Sequence, residues 1–398
     1  MLKPRVSFII PCYKLAHLLS ECVGSILSQT HQDFEVLIMD DCSPDNTPEV
    51  ARSFQDPRVK HIRNEQNLGH LANYNKGISL AQGEYIWLIS ADDSLRSTQV
   101  LQRFVRMIDH APNIGYVFCP TMKVVNGQEL GVMPYSQIAA HDMIISGHRF
   151  LTDHLVIANI VPAPAVMARK KCYEEVSYFP LDLPYAGDWY LWAIFALYFD
   201  VGFFAEPMVN RRFHKANMSV GFYNEAATAM LADNLAVPVR LYERVKKEGF
   251  RDLADSCRRG IIAEFLRQVT PPKADDAGPI SLTAEEFDKS LRGLSYAQKE
   301  EADIRARVYA GLADVYYDRG DFSQAHACYR HAFQHDSQPL NVRAKYILLQ
   351  MGSIGSIVRE SISRLKRQAK RIPAGKLAAR CTPPQVKKHR FEGESGTR

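Results

Sequence analysis

The apolar positions of the first 120 residues fall into two alternating rhythms. Short continuous runs, VSFII (6–10), FEVLIM (34–39), VKHI (59–62), YIWLI (85–89) and IGYVFC (114–119), have the length and the β-branched or aromatic content of buried strands. Between them, apolar residues recur three and four apart over Leu15 to Leu27, Pro48 to Phe54, Leu71 to Ala81 and Thr98 to Ile108, which predicts helices. Strand and helix in alternation predict an α/β fold with a mostly parallel sheet and right-handed crossovers. In such a sheet ligands gather beyond the carboxyl ends of the strands. The polar clusters of this chain fall there: Cys12-Tyr13-Lys14 after the first strand, Asp40-Asp41 after the second, Asp92-Asp93 after the fourth.

From 120 to 180 the pattern is less regular, with turn signals at Asn126-Gly127 and around Pro162 and Pro164. An apolar helix is predicted from Asp188 to Phe199, followed by the strand-like VGFFAEPMV and RRFHKANMS. After Ser219 the period is helical almost throughout, broken by a loop at Pro271 to Pro279. Tyr309, Leu312, Ala313, Tyr316, Gly320, Ala325, Tyr329 and Ala332 fall on the small and large positions of a tetratricopeptide unit, and a lone unit needs neighbours to cover its face. Helices before Arg305 and over Asn341 to Met351 are expected to supply that cover.

Composition narrows the setting. With 398 residues, 46% of them hydrophobic, the chain holds more than one core. Eight cysteines lie far apart with no C-x-x-C pair, which argues for reduced thiols rather than a disulfide framework or a thiolate zinc site. The opening MLKPRVSFIIPCYK has only a four-residue apolar run and reads as a strand, not a leader peptide. The most apolar stretch, Trp189 to Phe204, is interrupted by Asp200 and Gly202, so no membrane span is expected and a cytoplasmic location is. Residues 359–398 carry twelve Lys and Arg against three Glu, a surplus of nine that leaves residues 1–358 at −4 of the chain's +5. That segment is expected to be disordered, and it offers peripheral contact with anionic lipid at the inner face of a membrane; no nucleic-acid module accompanies it.

Five blocks then carry a resemblance: VSFIIPCYK, SILSQTHQDFEVLIMDDCSPDNT, NEQNLGHLANYNKGISLAQGEYIWLISADD, AGDWYLW and RRFHKANMS. In this order they resemble family 2 glycosyltransferases, which implies the GT-A nucleotide-diphospho-sugar transferase fold over residues 1–222. A helical region, 223–358, with the tetratricopeptide-like unit near 305–339, and the basic segment 359–398 follow. The family's activity is inverting transfer of a hexosyl or related sugar from a nucleotide-diphosphate donor to an acceptor hydroxyl, in polysaccharide or glycoconjugate biosynthesis, on a saccharide or lipid-linked saccharide.

The chemistry of that reaction asks for particular residues. A leaving nucleoside diphosphate gains negative charge, and carboxylates at a strand end hold Mg²⁺ or Mn²⁺, hard ions that accept diphosphate oxygens in their remaining positions. By resemblance Asp93 binds the metal and Asp92 faces the ribose, although either aspartate also reads as a helix cap. Resemblance likewise gives Asp41, beside Asp40, a hydrogen bond to the nucleotide base, with Pro11 and Tyr13 lining the pocket. Asn67 and Gly69 stand near the donor, where the glycine permits close backbone approach. An acceptor hydroxyl needs a base to take its proton, and Asp188 matches the family's base position. Gly187 replaces the Glu that usually precedes that base, which removes a carboxylate from the acceptor side. His214 matches a histidine that reaches the metal or diphosphate in relatives.

Two other enzyme readings fail on glycine: PCYKLAHLL has none, where a dinucleotide-binding turn or a nucleotidyltransferase phosphate loop needs it. The alternative that remains is a catalytically inactive glycosyltransferase-like scaffold binding protein partners through its helical region.

Overall fold

The computed structural model describes residues 3–215, 217, 227–269, 298–335, 340–351 and 355. The expected loop at 271–279 and the basic segment 359–398 lie outside the described residues. Two compact units divide after Ile304.

The first unit opens with β1 (Val6–Cys12), α1 (Ala16–Leu27), β2 (Phe34–Asp40), α2 (Thr47–Ser53), β3 (Val59–Arg63), α3 (His70–Leu80) and β4 (Tyr85–Leu88). There follow β5 (Ser94–Leu95), α4 (Val100–His110), β6 (Ile114–Phe118), β7 (Thr121–Val125), β8 (Gln128–Val132) and β9 (Met143–Ile145). After α5 (Gly147–Phe150) come β10 (Val166–Arg169), α6 (Lys170–Glu175), α7 (Gly187–Ala196), β11 (Asp200–Phe203) and β12 (Val209–Phe213). An eight-stranded sheet runs β3-β2-β1-β4-β10-β6-β11-β9, and a four-stranded sheet runs β5-β12-β7-β8. In the larger sheet β3, β2, β1 and β4 are parallel neighbours. β10 is antiparallel to both β4 and β6, and β9 to β11.

Every residue of β1 and β2 is buried, as strands covered on both faces require. Helix α1 turns Ala16, Leu19, Cys22, Val23 and Ile26 inward, and α4 does so with Val100, Leu101, Phe104, Val105 and Ile108, the stripes their spacing predicted. At the centre Trp87 lies between Phe8 and Phe104, with ring centroids 5.5 and 4.4 Å away, and its indole N–H donates to the Pro164 carbonyl at 2.8 Å. Asn126 and Gly127, both at positive φ, form the two-residue turn of the β7–β8 hairpin.

VGFFAEPMV does not form one strand. It splits into β11 and β12 in different sheets, because Pro207 in the segment between them cannot donate to a ladder. Only Arg211 to Phe213 of RRFHKANMS are strand; His214 lies past its end, and residues 216, 218 and 219 are outside the described part.

Helices α8 (Ala227–Glu248) and α9 (Arg251–Val269) pack within the first compact unit. Gly260 of α9 leaves no room for a side chain, since a Cβ there would stand 2.1 Å from the Val156 carbonyl oxygen. The second unit is described through α10 (Gln298–Arg319), α11 (Phe322–His335) and α12 (Leu340–Gln350). Its core gathers Ala310, Ala313, Ala325, Tyr329, Ala332 and Val342. Among the described residues no helix is long and apolar enough to cross a membrane, and all cysteines are free.

Trp87→Ala is expected to lower stability by about 3–5 kcal/mol, since it empties a fully buried site and orphans the Pro164 carbonyl. Urea unfolding followed by fluorescence of the remaining tryptophans measures it; a loss below about 1 kcal/mol would contradict this packing role.

Candidate active site

The site is assembled at the carboxyl end of β1. Two backbone hydrogen bonds tie the acidic segments to it: Ala91 N–H donates to the Pro11 carbonyl at 3.3 Å, and Asp41 N–H to the Cys12 carbonyl at 3.0 Å. Beyond this rim Tyr13 is 41% exposed, with the Lys14 ammonium 4.9 Å from its ring centroid.

The two aspartates of the second cluster diverge, as adjacent residues at a strand end do. Asp40 is fully buried and its oxygens are committed: Oδ1 accepts from Ser43 N–H at 2.8 Å, and Oδ2 meets Arg63 Nη1 at 2.6 Å and His61 Nε2 at 3.2 Å. Burial alone would raise its pKa, but these partners outweigh that and hold it below the ordinary value. Asp40 therefore braces β2 against β3, its register partner being Arg63, and does not face the rim, where it was expected to share the pocket.

Asp41 points the other way. Its Oδ1 accepts from Asn64 Nδ2 and Leu68 N–H, both at 2.8 Å, and its Oδ2 from Gly69 N–H at 3.0 Å. Asn67 Oδ1 accepts a second bond from Gly69 N–H at 3.0 Å, so the loop 64–69 wraps around one carboxylate. Gly69 sits at φ 81° and ψ 156°, a region open only to glycine, while a Cβ there would meet nothing within 4 Å. Its backbone conformation alone requires glycine.

The third cluster meets the end of β12. Asp93 Oδ1 accepts from Arg212 N–H at 2.9 Å, and Arg212 Nε donates to the Asp92 carbonyl at 3.1 Å. Asp92 Oδ2 lies 3.1 Å from His214 Nε2 and accepts from Asn217 Nδ2 at 3.0 Å. His214 thus faces Asp92 rather than Asp93. Burial, and then the charge of Asp92, push the Asp93 carboxyl well above its ordinary range, against the opposing pull of Arg212 N–H and the two arginines Arg211 and Arg212.

Asp188 stands in the first turn of α7, half-buried. Its Oδ1 accepts from Trp189 N–H at 2.7 Å and its Oδ2 from Asn159 Nδ2 at 3.1 Å. Burial raises its pKa, while those two bonds and the charge of Arg211 limit the rise. Asp188, Asp92 and Asp93 all act on one phenol, Tyr74, whose pKa burial and these three charges push up. Arg211 in turn feels both Asp93 and Asp188, and its Nη1 donates to Tyr135 Oη at 2.7 Å. Direct bonds thus join Asp92, Asp93, Arg212, His214 and Asn217, while Asp188, bonded to Asn159, is linked to them only electrostatically through Tyr74 and Arg211. Tyr74, Tyr135, Asn159, Arg211 and Asn217 were missed by sequence reasoning. Arg211 and Asn217 flank His214 within a block already singled out; Tyr135 and Asn159 lie in the irregular stretch, where nothing marks them.

Residues 7–173 match the model of the family described as Glycosyl transferase family 2, which spans the sheet from β1 into α6. The glycosyltransferase GlyG of Streptococcus pneumoniae is 38% identical over 97 residues, 24% of this chain and 32% of that one. The succinoglycan biosynthesis protein ExoO of Rhizobium meliloti is 35% identical over 112 residues, 28% of this chain and 31% of that one. The match thus spans about a third of the length of either relative. Among solved structures, S. aureus TarS 1-349 in complex with UDP-GlcNAc superposes with a TM-score of 0.54 at 16% identity, over 84% of this chain and 93% of that one. The first unit is therefore a mixed α/β fold of the kind seen in TarS, and residues 7–173 match the family 2 glycosyltransferase model.

Asp188→Asn is expected to leave the chain folded and to gain stability relative to the parent as pH rises. An acid whose folded pKa is raised binds its proton more tightly folded than unfolded, so the parent loses stability once pH climbs past the ordinary value of about 4. Urea midpoints of both proteins at about pH 4 and pH 7 test this; a gap that fails to grow in the variant's favour contradicts it.

Proposed function

We propose that this chain is an inverting, metal-dependent glycosyltransferase that moves a sugar from a nucleotide-diphosphate donor to an acceptor hydroxyl. The observation that supports the reading is that Asp92 and Asp93 are hydrogen-bonded to Arg212, His214 and Asn217 at the end of β12, with Asp188 in electrostatic reach of the same Tyr74 phenol.

The donor's base and ribose are assigned to the rim of Pro11, Tyr13 and Asp41 with the Asn67–Gly69 loop, and to Asp92. A divalent ion, Mn²⁺ or Mg²⁺, fits beside Asp93: this carboxylate is buried next to another, and a cation relieves the repulsion that lifts its pKa. Among the described residues no group of three or more His, Cys, Asp and Glu side chains is set to hold a metal. Asp93, with His214 reaching through Asp92, is therefore a partial ligand set that a diphosphate completes. When bound, the ion neutralises charge on the departing diphosphate. Arg211, between Asp93 and Asp188, adds a fixed positive charge on the same side.

Asp188 is assigned the role of general base. Its raised pKa brings it closer to that of the proton it must take, and Asn159 and Trp189 N–H aim it. With one base and no enzyme nucleophile, the acceptor oxygen attacks opposite the leaving group and the anomeric centre inverts. Gly187 leaves the acceptor side open where relatives carry a carboxylate.

ExoO, a succinoglycan biosynthesis protein, supports polysaccharide or glycoconjugate assembly as the setting, with a saccharide or lipid-linked saccharide as acceptor. The cytoplasmic face of a membrane suits that role, with residues 359–398 for peripheral contact. We assign the second unit a tetratricopeptide-like role in binding a protein partner, on the small-residue packing of Ala313, Ala325 and Ala332.

Nucleotide-sugars screened with Mn²⁺ should yield one donor that stabilises the chain by about 2–3 kcal/mol at a hundred times its Kd. Transfer should cease on chelation and fall by about 10²-fold or more in Asp93→Asn and in Asp188→Asn. Undiminished transfer in both variants sinks the reading, and donor binding without transfer to any acceptor favours the scaffold alternative.

A further inference from the structure

Helix α7 carries Asp188 but starts without a cap of its own: its N-cap is Ala186, and no side chain bonds there in the usual capping manner. The acceptor at this end comes from elsewhere. Asp233, on α8, accepts a hydrogen bond from Tyr185 N–H at 2.8 Å; burial raises its pKa, and the Tyr185 and Ala186 N–H groups limit the rise. The residue is only 9% exposed.

The segment leading into α7 is held from two sides. On one, α3 clamps it through Asn75, whose Nδ2 donates to the Phe179 carbonyl at 2.8 Å and whose Oδ1 accepts from Phe179 N–H at 3.0 Å, while His70 Nε2 lies 2.8 Å from the Pro184 carbonyl. On the other, α8 supplies Arg240, paired with Asp182 at 2.6 Å, and Asp233. The Asp182 side chain is 70% exposed, so that pair contributes little. Asp233 differs in kind: it is buried and accepts from the backbone immediately before Gly187-Asp188, at the Tyr185 amide. Its removal strands that donor, which finds relief only by a shift in the start of the base's helix.

We propose that Asp233 is a positioning residue for Asp188, and that α8, outside the segment matched by the family model, is thereby part of the catalytic unit. This rests on the reading of Asp188 as the base. Asp233 does not touch the reacting atoms; it holds the backbone from which Asp188 is aimed, and small misplacements of a catalytic group cost large factors in rate.

The test compares Asp233→Ala and Asp233→Asn in the full chain. Asparagine keeps an acceptor oxygen for the Tyr185 amide, and alanine does not. Asp233→Ala should lower kcat by about tenfold or more with the donor KM within about twofold of the parent, and Asp233→Asn should recover most of kcat. Amide hydrogen exchange over 185–190 should speed up in the alanine variant while β1 and β2 stay protected. Parental kcat in Asp233→Ala overturns the proposal, as does a donor KM that rises in step with the loss of kcat and is not restored by asparagine. A parent chain that transfers no sugar overturns the reading of the site itself and this proposal with it.

Discussion

Everything at the site hangs on the end of one strand. β1 is paired along its length with β2 and over Val6 to Ile9 with β4, and its last two carbonyls, of Pro11 and Cys12, receive the amides of Ala91 and Asp41. Carboxylates repel one another, and nothing in their own chemistry gathers them. A buried parallel ladder can, because its strand ends are fixed by hydrogen bonds that have no competing partner in the core. The chain thus spends its most apolar strands on holding its most polar groups together.

That gathering has an electrostatic cost which is met locally. Around Asp92 and Asp93 the protein places backbone N–H groups, Asn217, His214 and two arginines, of which Arg212 also pairs with Glu21 at 2.6 Å. Asp93 and Asp188 nevertheless keep raised pKa values. Asp40, one residue from Asp41, shows the contrasting outcome: fully partnered, it is an ordinary structural anion. What separates the raised carboxylates from the lowered one is whether hydrogen bonds and cations outweigh the burial that all three share.

Much of this could be read from the residues. Buried parallel strands write themselves as unbroken apolar runs, and the edges of β1, β2, α1 and α3 fall within a residue or two of those predicted. The acidic pairs were visible because they end such runs. Short strands were not: β5, β7, β9 and β10 are set by pairing with distant partners, and local pattern carries little of that. The same limit hid Asn159 and Tyr135, whose positions depend on where a long irregular segment is drawn by contacts at its ends. Asp40 and Asp41 could not be told apart either, since one step along a strand decides which way a side chain faces. Nor could the close packing of α9 be read in advance, because Gly260 acquires meaning only once Val156 is beside it.

β8 is exposed at every residue and lies at the edge of the order β5-β12-β7-β8, two strands from the one that carries Arg211 and Arg212. A flat, unpaired edge invites a foreign strand to extend it. Here the ladder shifts register between Lys123 and Val124, Gly131 takes φ 116°, and Glu129 is held at 2.9 Å by Arg96. The bulge and the charge blunt the edge, so self-association by strand addition is discouraged. A mechanical disturbance from that side would otherwise reach Asp93 through only two ladders.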